Sequence, residues 1–474
     1  MAKNNPYKTL IGNSIIFAIG NIGSKLITFL MLPLYTYTLT KNEYGVTDIA
    51  QTTVSFLLPV VYLSISDAVL RFGLDERRHP TVVFSTGISV TNIISLITLA
   101  VAVLLQFFHV QYSVYVGLLL IAQSYQSVLA QMAKAVGKQR IFAANGILLA
   151  LMTAVLNIIA LTVLKWGVVG YFISFILGLV LSDIYLSWRI DLPHILDLHQ
   201  YQSGKLKNML RYSVPLIPNA ISWWASNDIN RYLILFFLGT TSNGIFAVAS
   251  KMPSILNLLN SIFFQSWQLS AIDQYGDSKS DKFYTTIFRF YSQFLFVATL
   301  GLICFSKVFM FIIVSPKFYV AWEYTPFLLI TVLYQCLSGL IGQVYVAAKK
   351  TKSIFTTTLV GMVINVGLTA LLLPLIGLQG AGIASALSFL AVWLIRHFEV
   401  KKFVTIGVDW LNIIINNVLL LAQTGLLFLK INVWLYSGIS AILIGFAFFL
   451  DRSIIVSTVQ TVQKKLANRG KAGH

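Results

Sequence analysis

The chain has 474 residues, of which 57% are hydrophobic and 11% charged, with a mean hydropathy of +0.79. Soluble domains carry about 25% charged residues, so one water-soluble core is excluded, and the polar stretches between apolar segments fall well short of the roughly 50 residues a minimal domain needs. A net charge of +18 would suggest nucleic acid in a soluble protein; here basic residues flanking membrane segments account for it, and no nucleic-acid role is expected.

Fourteen apolar segments of spanning length succeed one another: 9–35, 44–70, 82–108, 112–134, 140–164, 168–189, 209–238, 242–270, 283–312, 324–347, 353–375, 379–398, 409–430 and 433–451. The first follows Lys3 and Lys8, is span-length and has no small-residue cleavage site, so it reads as a retained helix and not as a signal peptide. The connections alternate in charge. "RFGLDERRH", "KAVGKQR", "KLKN", "DSKSDK", "AAKKTK" and "VKK" fall on the side of both termini, whereas the other side contributes only Lys41, Lys165, Lys317 and Lys430. The positive-inside rule makes both termini cytoplasmic.

Polar residues recur at helical spacing in some of these segments. Segment 1 places Ser14, Asn21, Lys25 and Thr28 on one face. Segment 2 aligns Asp48, Gln51, Thr52, Ser55, Tyr62 and Ser66, with Pro59 set to bend the helix. Arg71, at its inner end, reads as a topology charge or as a guard of the cytoplasmic mouth. Segments 4 and 10 carry partial stripes, Gln123, Ser127 and Lys134 in one and Gln335, Ser338 and Gly342 in the other. In segment 7, Trp224, Asp228 and Arg231 align with Asn227 beside them, and the three-residue Asp–Arg spacing permits a local ion pair. Segment 8 carries Lys251, Ser254, Asn257, Ser261, Gln265 and Gln268.

An ionisable side chain in a bilayer costs about 2.5–3.5 kcal/mol on insertion scales and usually faces protein or water. The stripes therefore predict a water-filled cavity lined by segments 1, 2, 7 and 8, although any single Ser or Asn could equally bond between packed helices. Lys25, Arg231 and Lys251 would make that cavity cationic against Asp228, suited to an anionic substrate. Asp48 and Asp183 lie near segment ends, where solvation explains them as well as function does, and Glu323, near an outer helix start, reads as a solvated or helix-terminus carboxylate.

Catalytic signals are absent. Cys304 and Cys336 read as packing residues, and the six His show no metal-ligand spacing. "GNIGSKL" lacks the Gly-Lys-Ser/Thr order of a phosphate loop, and the "GAG" at 380–382 follows a turn between apolar helices, not a strand. Neither an enzyme nor a bound cofactor or metal is expected.

Two stretches repeat. "TLTKNEYGVTDIA" (38–50) resembles "FLGTTSNGIFAVA" (237–249), with Gly45 and Gly244 opening the next helix. "KQRIFAANGIL…KWGVVGYFIS" (138–174) resembles "TKSIFTTTLVG…LIGLQGAGIAS" (351–385), each reaching a G-x-x-G turn, Gly167/Gly170 and Gly377/Gly380. Segments 1–6 thus match 7–12. Six is even, so the repeat is parallel, with a pseudo-twofold axis along the membrane normal and a site between the halves. The expected fold is all-α and polytopic: an N-terminal six-helix lobe over 1–200, a second over 201–400, then two extra helices and a basic tail over 401–474.

On "LPLYTYTLTKNEYG" (32–45), "NGIFAVASKM" (243–252), "VLNIIALTVLKWGVVGYFIS" (155–174) and "VINVGLTALLLPLIGLQGAGIAS" (363–385), the chain resembles the Wzx-type polysaccharide repeat-unit flippases. Their superfamily (multidrug/oligosaccharidyl-lipid/polysaccharide) also holds the multidrug exporters and the lipid II flippase. The resemblance covers roughly residues 8–400 and implies two lobes meeting in a V and working by alternating access in a bacterial cytoplasmic membrane. It implies as cargo an undecaprenyl-pyrophosphate-linked oligosaccharide, moved from the inner to the outer leaflet for surface polysaccharide synthesis. Polymerase and glycosyltransferases would be its partners, and an H⁺ or Na⁺ gradient the candidate drive, with Asp228 the candidate coupling group. Lys25, Arg231 and Lys251 are the matching candidates for the anionic headgroup. The rival readings are a cation-coupled multidrug exporter and a peptidoglycan precursor flippase.

Overall fold

The computed structural model describes residues 22–75, 80–276, 280–348, 350–429 and 432–450, so Ser14 and Asn21 lie outside the described residues, as does the side chain of Gln265. Every regular element among them is a helix. Ten helices are long and apolar enough to cross a membrane, or eleven if one bent pair counts as a single span. The expected segments 1, 8 and 14 are the shortfall: the first begins outside the described residues, the eighth is diluted by its own polar stripe, and the last is a shorter apolar helix. The chain forms two compact units, residues 1–247 and 248–474.

In the first unit, α1 (22–30) and α2 (Leu32–Thr38) lead into α3 (Lys41–Val61) and α4 (Ile65–Asp75). The start of α3 follows from its sequence. Thr40 Oγ1 accepts from the Glu43 backbone N–H at 3.2 Å, while Glu43 Oε2 accepts from the Thr40 N–H at 2.8 Å. This is a capping box, satisfying two of the helix's orphan donors. Its end also follows, because Pro59 denies Ser55 its bond partner and the chain turns through Leu63 and Ser64 at positive φ. Expected segment 2 is therefore two helices bent by 53°.

Next come α5 (Thr81–Phe107), α6 (Ser113–Ala135), α7 (Gln139–Ile158, closing in a π turn over Ile159–Val163), α8 (Gly167–Ile190) and the single turn α9 (Leu192–Ile195). Lipid offers no hydrophobic drive between helices, so they associate through packing and buried hydrogen bonds. Fully buried Ser182 of α8 donates to Asn145 Oδ1 of α7 at 2.8 Å, and Phe84, Val128, Met132 and Leu186 close the apolar core. The surface helix α10 (Ser203–Ser213) packs on α4 through Met209.

Segment 7 differs from expectation at its start, and the turn that follows it is shorter than expected. Pro215 and Pro218 break the start of segment 7, and α11 (Ile217–Ala249) is two helices that meet at a kink at Gly239 (φ 78°, ψ 178°), inside the turn expected at 238–243. A single glycine in a conformation closed to other residues does the work assigned to a six-residue loop.

The second unit holds α12 (Lys251–Asp273), α13 (Ser280–Ile313), a 3₁₀ turn over Pro316–Glu323, α14 (Thr325–Ala347), α15 (Thr351–Ile376), α16 (Gln379–Val400), α17 (Trp410–Phe428) and α18 (Val433–Leu450). Helix α14 is at its centre, packed on α12, α13, α15 and α16. There Arg396 of α16, 7% exposed, places all five of its donors on neutral oxygens. Nε donates to Thr357 Oγ1, Nη1 to the backbone and hydroxyl oxygens of Ser338, and Nη2 to Ile354 O and Thr358 Oγ1, all within 3.4 Å. One guanidinium thus ties α14, α15 and α16 together.

Candidate functional site

The site is built on α3 and α11. The indole of Trp224 donates to Thr52 O at 3.1 Å and packs on Phe56 at 4.6 Å, and Tyr232 OH meets Thr53 Oγ1 at 2.6 Å. These contacts set the rotation of α11 so that Arg231 reaches α3. Its Nε donates to Asp48 Oδ2 at 2.8 Å and its Nη1 to Asp228 Oδ1 at 2.6 Å. From beyond Gly239, Asn243 Nδ2 donates to Asp48 Oδ2 and to Gly45 O, both at 3.2 Å. The side chains of Arg231, Asp48 and Asp228 are 18%, 16% and 30% exposed. One guanidinium thus meets two carboxyl groups in a partly buried site, where charge-assisted bonds are strong and unpaired charges costly.

The helices can come this close because of two glycines. A Cβ on Gly45 would lie 2.0 Å from Thr240 O, and a Cβ on Gly244 would lie 2.0 Å from Lys41 O. Lys41 and Gly45 match Thr240 and Gly244 in the repeated stretch, so each repeat places its glycine against the other's carbonyl. Such reciprocity is the signature of a two-fold contact. Asn42 and Thr240 share a hydrogen bond beside it. The ion network breaks the symmetry: the residue matching Asp48 is Ala247.

Other sequence candidates are placed separately. Lys25 is exposed, near Thr28, whose hydroxyl bonds back to Ser24 O. Gln51 is half-buried, and Ser55 is exposed with its hydroxyl on Thr52 O. Tyr62 is buried, its OH 3.0 Å from Ser95 Oγ, in the wall of a cavity of about 230 Å³ at the α3–α4 bend that also takes in Pro59, Ser66 and Ser127. Arg71 is exposed and pairs with Asp75 at 2.5 Å. Asn227 is exposed and donates to Trp223 O at 2.7 Å. Lys251, Ser254 and Asn257 lie on α12 in the second unit, with the Ser254 hydroxyl on Lys251 O.

The Asp228–Arg231 pair was legible from its spacing. The pairing with Asp48 was not, because it joins residues 183 apart in sequence. Asn243 and Tyr232 were missed; Asn243 sits in what read as a loop. Arg396 was missed too, although an arginine inside apolar segment 12 was signal enough. Among the described residues no group of three or more His, Cys, Asp or Glu could hold a metal.

Comparison with known proteins agrees with this architecture. Residues 10–268 match the model of the family described as polysaccharide biosynthesis protein. Lsg locus protein 1 of Haemophilus influenzae is 26% identical over 254 residues, 52% of this chain and 62% of that relative's length. Among solved structures, the lipid II flippase MurJ in an inward-closed conformation superposes with a TM-score of 0.66 at 17% identity, covering 95% of this chain and 99% of that one. An inward-facing multidrug-resistance MATE transporter of the MOP superfamily gives 0.61 at 14% identity, over 81% and 94%. At these identities the structures share a fold with this chain.

Proposed function

The chain belongs to the polysaccharide biosynthesis protein family, and from that premise we propose that it flips an undecaprenyl-pyrophosphate-linked oligosaccharide from the inner to the outer leaflet of a bacterial cytoplasmic membrane. The family, the flippase and transporter fold and a charged network inside apolar helices together support a polytopic carrier whose polar headgroup path runs through protein. The observation that carries the reading is the bridge from Arg231 to Asp48 and Asp228, since ionisable residues at such a position mark substrate or ion pathways.

The proposed cycle is alternating access between two six-helix lobes, both termini on the cytoplasmic side. The headgroup is drawn in by Lys25, Arg231 and Lys251 while its lipid tail stays in the bilayer. Arg231 already bonds two carboxylates through Nε and Nη1, so an anionic headgroup that engages it competes with them for its charge, and one of them can be displaced. The displaced carboxylate then needs a cation, and H⁺ or Na⁺ taken up at Asp228 or Asp48 would couple an ion gradient to transport.

A deletion strain complemented with single Ala variants of Lys25, Arg231 and Lys251 tests this. Wild type restores surface polysaccharide, and the variants, present at normal level, restore little and accumulate lipid-linked repeat units on the cytoplasmic side. Full export by all three variants defeats the cationic-site reading. Restored drug resistance without polysaccharide would favour a multidrug exporter, and loss of viability on deletion would favour a peptidoglycan precursor as cargo.

A further inference from the structure

A second cavity, of about 380 Å³, lies within the first unit against α3. Its walls include Val46, Ala50 and Leu57 of α3, Val101 of α5, Gly117 of α6 and Leu235 of α11. At 100° per residue, the α3 positions face away from Asp48 and Ser55, so the helix carries the ion network on one side and this apolar cavity on the other. The volume falls in the range of ordinary ligand sites, roughly 300–1,000 Å³.

Two features say what fills it. First, Val101 and Leu105 line the cavity and are also 47% and 42% exposed, continuous with Ile97 and Leu104 on the outer face of α5. An apolar face of that size on a membrane helix is in contact with lipid, so the cavity opens to hydrocarbon. Second, its rim is polar and aromatic. Gln111, Tyr112 and Ser113 border it, and the Tyr112 ring lies 5.8 Å from that of Phe172. Tyr residues mark the headgroup level of a bilayer. The cavity thus runs from headgroup depth into the acyl region.

We propose that this cavity binds one acyl chain of a bilayer phospholipid, entering past α5 and packing between α3, α5, α6 and α11. Left empty, its walls would forfeit their dispersion contacts on one side, and phospholipid chains are the solvent at its mouth. The chain would brace α3 against α11 beside Leu235, one turn from Arg231, making the network sensitive to the surrounding lipid. This holds whatever the cargo is.

The full chain in proteoliposomes, doped with a phosphatidylcholine carrying a diazirine in its acyl chain, provides the test. After irradiation, adducts mapped by mass spectrometry should fall on the cavity-lining Ala50, Leu57, Thr98 and Val116 several-fold above the lipid-facing Val363 and Leu371 of α15. Filling the cavity with Thr98→Phe or Val116→Phe should bring them down to that level while labelling of α15 is unchanged. Equal labelling of cavity and α15 in the wild type overturns the site, and the wild-type comparison decides alone if a filled variant fails to insert. Undiminished cavity labelling in filled variants overturns it too, as does a diazirine polyprenyl phosphate that displaces the phospholipid adducts at equimolar dose.

Discussion

Arg231 bridges two carboxylates from two helices, and the cost of disturbing it depends on which member is removed. Breaking a buried pair by deleting one partner typically costs about 3–5 kcal/mol because a charge is left uncompensated. Arg231→Ala leaves Asp48 and Asp228 facing each other, so it should lower the thermal midpoint of the purified protein more than Asp228→Asn, which leaves Arg231 its bond to Asp48. Adding Asp48→Asn to Arg231→Ala should recover part of the loss. A double variant no more stable than Arg231→Ala would mean the carboxylates are not in conflict. Arg396 sets up a different expectation. It has no carboxylate at bonding distance among the described residues, and its five donors match five oxygens. Lysine offers three donors on a flexible stem, so Arg396→Lys should destabilise the second unit nearly as much as Arg396→Met; equal melting of wild type and Arg396→Lys would refute the staple.

The crossing of α3 and α11 rests on the absence of two Cβ atoms. Overpacking a fitted contact costs about 1–3 kcal/mol, and the 2.0 Å approaches at Gly45 and Gly244 are to backbone, which cannot swing aside. Gly45→Ala and Gly244→Ala should each reach the upper part of that range in a thermal melt and weaken export; two wild-type-like alanine variants would show that the helices do not cross there. Thr40→Ala, which removes one half of the capping box, should cost about 1 kcal/mol. At this scale much was legible: apolar runs located the membrane helices, the repeat singled out Gly45 and Gly244, and Pro59 foretold the α3–α4 bend. Helix ends within apolar runs were not. Nothing in hydropathy separates α3 from α4 at Leu63, because that break is a dihedral event rather than a change of polarity, whereas the kink at Gly239 falls in the polar turn read from 238. The short helix α10 was read partly as a connection and, from Met209, partly as the start of segment 7, because its polar residues masked its amphipathic period.

The molecule as a whole is an all-helical membrane protein of the polysaccharide biosynthesis family, with a fold shared by lipid and drug transporters. The fold was visible in the sequence because composition, apolar runs and the repeat act over many residues, and the family because whole stretches such as 32–45 and 363–385 carry the resemblance to it. The site was visible only in part, because a partnership such as Asp48 with Arg231 is made by tertiary packing. The proposed transport and the buried network meet in one measurement: purified protein in proteoliposomes with an undecaprenyl-pyrophosphate-linked oligosaccharide, the headgroup's arrival in the opposite leaflet being read by an impermeant sugar-modifying reagent. The account predicts protein-dependent flipping by wild type that falls by at least about tenfold, some 1.4 kcal/mol, in Arg231→Ala. Wild-type flipping no faster than in protein-free liposomes, across imposed H⁺ and Na⁺ gradients, would contradict it.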